Sequence, residues 1–139
     1  MNGENMEQLA KDLQQLLAAN TNTAPVYAGQ APRDEAGVVI EPPFVVYTYD
    51  PRAPQDEAGE WTIDLFLDVW SLNSFSNCYK EMLPLDNALD GQIYELESGI
   101  ICADRNGLVF QRGEPDPDDE RIRRMSGQYL LRFNPIIKE

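Results

Sequence analysis

The sequence contains no histidine and only two cysteines, Cys78 and Cys102. Without histidine the commonest general base and metal ligand are gone, so Ser/His/Asp and Cys/His catalytic schemes have no members here. The two cysteines lie far apart, without metal-ligand spacing and with no histidine to activate either thiolate. In a reducing cytosol they are expected to be free thiols in or near the core. Basic residues are also scarce, 11 Lys and Arg against 24 Asp and Glu, for a net charge of −13. Such a surface repels phosphate backbones, which argues against wrapping nucleic acid. It suits a channel through which DNA slides without being held, and it equally suits simple solubility. No apolar run approaches the roughly 20 residues that span a bilayer. The polar, acidic opening MNGENMEQ lacks the pattern of a secretion signal, so a protein that begins in the cytosol, with no membrane partner, is expected. There is no P-loop and no GxGxxG, and the glycines of DRNGLVFQRG are wrongly spaced for cradling phosphate. With no cofactor motif and no organised polar cluster, the chain is not expected to be an enzyme.

What is present is a chain of 139 residues, 42% hydrophobic. That is enough for one core, and residues 1–139 are taken as a single domain. No internal repeat is visible. Residues 4–19 carry Met6, Leu9, Leu13, Leu16 and Leu17 at helical spacing, with Glu4 and Glu7 where they suit the helix dipole. NTNTAP ends that helix, with Asn20 as C-cap and Pro25 as the stop. Val26-Tyr27-Ala28 reads as a short strand and residues 29–42 as a loop. PFVVYTYD, 43–50, is β-branched and aromatic and reads as a strand. PRAPQDEAGE, 51–60, is a turn or hairpin loop.

WTIDLFLDVWS, 61–71, alternates. Trp61, Ile63, Leu65, Leu67 and Val69 form a core face. Thr62, Asp64, Phe66, Asp68 and Trp70 form a second face that mixes carboxylates with large aromatics. Residues 74–97 return to helical spacing, with Asn73 or Ser74 as cap and a kink or break expected at Pro84. Asn106-Gly107 predicts a hairpin between strands at 99–104 and 108–112. EPDPDDE, 114–120, reads as an acidic loop. RRMSGQYLLRF, 123–133, is a final strand with Met125, Tyr129, Leu131 and Phe133 on one side and Arg124, Ser126, Gln128 and Arg132 on the other. The order predicts an α+β fold: an antiparallel or mixed sheet of about 4–6 strands flanked by an N-terminal helix and a longer central helix.

Several patterns invite a chemical reading. Asp86, Asp90, Gly91, Ile93 and Glu97 fit part of an EF-hand loop, but Ala88 and Tyr94 occupy ligand positions, and the same stretch makes an apolar helical stripe. The expected reading is a solvated acidic helix face. Asp64 and Asp68 stand about 13 Å apart at a strand rise of ~3.3 Å per residue, beyond a glycosidase pair. The acidic loop is expected to be solvated. That leaves the aromatic, acidic face of the 61–71 strand. Burying Phe66 and Trp70 is worth about 1.5–3 kcal/mol each. They lie either under a helix, in a sheet covered on both sides, or against another subunit. Asp64 and Asp68 would then reach basic groups, with Arg124 and Arg132 as candidates within or between chains. No residue is assigned to a catalytic, cofactor or metal site.

The order of PPFVVYTYD, then WTIDLFLDVWSLNSFSNCYKEMLPLDNALDGQIYEL, then a hairpin, an acidic loop and RIRRMSGQYLLRF, all behind an N-terminal amphipathic helix, resembles a known family. It is similar to the tail terminator (tail completion) proteins of long-tailed bacteriophages, the minor tail protein U group and related head–tail joining proteins. The likeness covers about residues 4–134 and rests on a strand ending in Val-Trp, a short Ser/Asn link, a helix with a Tyr-x-x-Met pattern and the final strand. The resemblance implies a virion assembly protein of phage or prophage. It would form a ring of itself, typically hexameric, on the tail tube protein, and present a surface to the head–tail connector protein while DNA passes through the lumen. Its place would be the virion tail or neck, after assembly in the host bacterial cytoplasm. A neck or head-completion protein is the alternative within that class, and a small calcium-binding or adaptor module the alternative outside it.

Overall fold

The computed structural model describes residues 2–54, 59–107, 110–114 and 116–136. The first helix, α1 (Gly3–Ala18), starts where Asn2 accepts the Asn5 N–H. It ends where the Asn20 side chain bonds the Leu16 carbonyl, one residue beyond the cap at Ala19. Leu9, Leu13 and Leu17 are buried, as their spacing requires.

The strands follow as β1 (Val26–Ala28), β2 (Phe44–Arg52), β3 (Trp61–Leu72), β4 (Gln92–Glu95), β5 (Gly99–Arg105), β6 (Gln111–Arg112) and β7 (Ile122–Pro135). They form one mixed sheet in the order β1-β2-β3-β7-β5-β4, with β6 also on β7. Only the β1–β2 pairing is parallel. The sheet thus has seven strands, one more than the expected upper bound, and the α+β class holds.

The second helix, α2 (Phe75–Leu89), differs from expectation in three ways. It is no longer than α1, at 15 residues against 16. It runs through Pro84 without a second segment starting there. A proline costs a helix interior about 3 kcal/mol, and fully burying Met82, Leu85 and Leu89 more than offsets that at about 1.5–3 kcal/mol each. Finally, residues 92–95 are strand, not helix. Gly91, at φ +70°, turns the chain out of α2, and β-branched Ile93 pairs opposite Cys102 instead of continuing the apolar stripe. At its start, Ser74 is the cap residue but makes no side-chain cap bond, while Asn73 takes a left-handed turn at φ +73°.

The Asn106-Gly107 hairpin is also corrected. β5 and β6 do not pair with each other; both lie along the same side of β7. Asn106 donates to the Gln128 carbonyl, and Gly107, at φ +118°, lets the chain leave that edge. Leu108 and Val109, placed by the expectation in the second hairpin strand, lie outside the described residues, as does 55–58 of the expected 51–60 loop.

The core lies between the sheet and the helices. Ile63, Leu65, Leu67 and Val69 of β3 meet Met125, Tyr129, Leu131 and Phe133 of β7 under Leu9, Leu13 and Leu17 of α1 and Cys78, Met82, Leu85 and Leu89 of α2. Three buried carboxylates tie the layers together. Asp12 of α1 accepts the Ser98 N–H. Glu81 of α2 accepts the N–H groups of Asn22 and Thr23 and the Thr23 hydroxyl. Asp86 accepts the Tyr129 hydroxyl at 2.9 Å.

Burial raises the Cys78 thiol from its ordinary value of 9.0 to about 11. The folded state therefore holds this proton after the unfolded chain has lost it. Its contribution to stability is fully present below about pH 9 and is lost as pH rises toward 11. In the native protein a thiol-specific disulfide reagent is expected to label half-buried Cys102 and to label Cys78 only on unfolding. Mass mapping of the labelled peptides checks this; equal labelling of both in the native state contradicts it.

Candidate functional site: an uncovered sheet face

Both helices pack on one face of the sheet. On the opposite face no helix lies among the described residues. The side chains there come from alternate positions of each strand: Thr48 and Asp50 of β2, Asp64, Phe66, Asp68 and Trp70 of β3, Arg124, Ser126, Gln128, Leu130 and Arg132 of β7, Ile100, Cys102 and Asp104 of β5, and Ile93 and Glu95 of β4.

Of the two alternatives for Phe66 and Trp70, the structure divides the pair. Trp70 is half-buried. It stacks at 5.1 Å on Phe44, which is fully buried, and the Arg124 guanidinium lies 4.3 Å above its ring. The indole Nε1 and the Arg124 Nε are both buried without a hydrogen-bond partner. Phe66 stays 40% exposed beside a concavity of about 440 Å³ lined also by Asp68, Gln111, Ser126 and Gln128.

The carboxylates reach basic groups within the chain. Asp68 accepts from Ser126 and lies 3.3 Å from Arg124, one of the two expected partners. Asp64 pairs at 3.1 Å with Arg52, which sequence reasoning did not propose, and Arg132 approaches Asp104 at 3.9 Å instead. Each ion pair is partly exposed and contributes little stability. Their effect is electrostatic: three carboxylates of this face are neutralised locally in a molecule with a net charge of −13.

Two further apolar residues belong to this face, Ile93 at 70% exposed and Ile100 at 43%. Ile93 was hidden by the helical reading of 74–97. The legible signal was Asp90-Gly91 followed by the β-branched and aromatic pair Ile93-Tyr94. The partial EF-hand pattern does not form a loop: Asp86 is helical and Asp90 is its cap. Asp86 is engaged by Tyr129 and Arg105. Asp90 is held below the usual carboxylate range by hydrogen bonds from the Arg105 backbone and side chain. In the 114–120 loop, Asp116 accepts the Asp118 N–H, and Asp119 bonds the Arg121 side chain. No helix among the described residues is long and apolar enough to cross a membrane.

The fold defined by this geometry is an α+β sheet covered by helices on one side; on the other no helix lies among the described residues, Phe44 and Val46 at the β2 end are buried, and the face is exposed around Phe66. No protein-family model and no curated protein matches the chain. Solved structures do share its fold. One is a chain from the "virion of native gene transfer agent (GTA) particle", with a TM-score of 0.65 and 20% identity, covering 95% of this chain and 98% of that one. A second, with no stated function, superposes at a TM-score of 0.57 and 13% identity over 99% of both chains.

Proposed function

We propose that this chain is a structural, non-catalytic protein of a phage-like virion. Its finer role is that of a tail terminator: a ring, six-membered by the family resemblance, that caps the tail tube and forms the joint to the head connector. The carrying observation is the end-to-end likeness to a chain of a gene transfer agent virion, in which the whole fold, not one motif, is shared. The uncovered face around Phe66 supports the same reading. An exposed phenylalanine beside carboxylates already paired at Asp64, Asp68 and Asp104 suits contact between copies of an acidic chain, where unpaired carboxylates would repel. The interface includes Asp64, Phe66, Asp68, Trp70, Arg124 and Arg132. Assembly takes place in the host bacterial cytoplasm and the product resides in the tail or neck of the particle.

The test is electron microscopy of particles assembled with and without the chain. Without it, tails of uncontrolled length that fail to join heads are expected; tails of normal length joined to heads refute the terminator role. Tails of normal length that stop short of the head would instead indicate a neck protein. Phe66→Asp is expected to keep the thermal midpoint within a few degrees while abolishing tail joining, because a charge enters the contact and no core residue is lost. Trp70→Asp cannot serve as that test, since it removes the stack on buried Phe44.

A further inference from the structure

Resting on that reading, we infer that neighbouring copies join head to tail, with the loop ribbon at residues 32–40 of one copy pairing against the free edge of β4 in the next. The two most exposed large hydrophobic side chains among the described residues are Ile93, at 70%, and Val38, at 60%. They belong to opposite sides of the strand order. Ile93 sits on β4, the outermost strand at one side, and Val38 sits in the connection from β1, the outermost strand at the other, to β2. A surface used with an identical surface needs one patch on each copy; two different patches suit a heterologous contact, which makes a ring where its rotation closes.

The two edges match in backbone and in charge. Residues 32–40 form a small antiparallel ribbon around the Arg33–Val39 bridge. It is pinned by Asp34 N–H to the Val38 carbonyl and Ile40 N–H to the Pro32 carbonyl, and by Asp34 Oδ1 accepting the Ala36 and Val38 N–H groups. Those flanking bonds leave the main-chain groups of Arg33 and Val39 pointing outward, as in any non-hydrogen-bonded pair. The ribbon is therefore ordered in advance and presents a β-branched edge, which lowers the entropy lost on docking. β4 has β5 on one side and no strand on the other among the described residues. An open strand edge bearing an exposed isoleucine is a template for strand addition. Arg33 has no carboxylate partner among the described residues, and its guanidinium bonds only the Gly37 carbonyl. Glu95 and Glu97, on and beside β4, form no ion pair among the described residues. Docking thus brings an unpaired cation toward unpaired anions and covers Val38 and Ile93 together.

The experiment uses the full chain and its own tail tubes, with assembly read by sedimentation velocity and by microscopy of capped tubes. Val38→Asp and Ile93→Asp are each expected to weaken ring formation at least about tenfold per contact while leaving the circular dichroism spectrum and thermal midpoint unchanged, since both side chains are exposed. Mixing the two variants is the decisive arm. Each retains one intact edge, so a 1:1 pair that grows no further is expected. Arg33→Glu should also fail to assemble, and Glu95→Arg added to it should restore rings. Wild-type rings that persist in both single variants, or mixed variants that stay monomeric, overturn this contact and leave the tail-terminator reading standing. A wild-type chain that forms no ring either free or on tail tubes overturns both.

Discussion

Glu81→Ala is expected to lower stability by about 3 kcal/mol, a fall in thermal midpoint on the order of 10 °C. Glu81 is 3% exposed. Its Oε2 accepts the Asn22 N–H at 2.8 Å, and its Oε1 accepts the Thr23 N–H and hydroxyl at 3.0 Å each. These donors belong to the turn that leads from α1 into β1. Removing the carboxylate leaves them without their acceptor at the rim of the core, and the missing side chain also loosens α2 from that turn. Glu81→Gln separates charge from shape. An amide keeps one acceptor, but its NH₂ group must face either Asn22 or Thr23, both donors. It is expected to recover less than half of the loss. Denaturant unfolding of the three proteins checks this; a glutamine variant as stable as the parent would mean that the carboxylate's charge and second acceptor are unimportant.

Gly99→Ala is the second large effect, about 3 kcal/mol or more. A Cβ at this position would lie 2.2 Å from the Asn134 carbonyl oxygen and 2.8 Å from both Phe133 Cε2 and Pro135 Cα, with φ at +152°. Two of those contacts are main chain, so the β5–β7 ladder itself must open where Gly99 faces Pro135. Gly91→Ala is the control. Its φ is +70° but nothing lies within 4 Å, so only the backbone term of about 1 kcal/mol applies. If the two variants unfold alike, the close approach at Gly99 is not the source of the cost.

The strands with strict alternation were legible because one of their faces is fully buried, which fixes the period. β3 and β7 run at 61–72 and 122–135, with their core residues as expected. Residues 90–97 were misread because an apolar residue every three or four positions fits a helix, while the strand there is four residues long and exposed, with too little burial to impose alternation. The Asn106-Gly107 signal is local, and a local signal cannot report that both flanking segments pair with β7, further along the chain, and not with each other. The candidate face was half legible. Asp68 meets Arg124, one of the two basic candidates, but Arg52 and Asp104 come from strands whose register no single-strand pattern contains.

The position of β7 has a consequence for how the protein comes into being. This strand follows the other six in sequence, yet it sits at the middle of the sheet, with β3 on one side and β5 and β6 on the other. Until it arrives, β3 and β5 have no common neighbour, and the segments already synthesised form two separate sheet fragments with bare inner edges. Nascent chains on the ribosome should therefore remain protease-sensitive until residues 122–135 have cleared the exit tunnel.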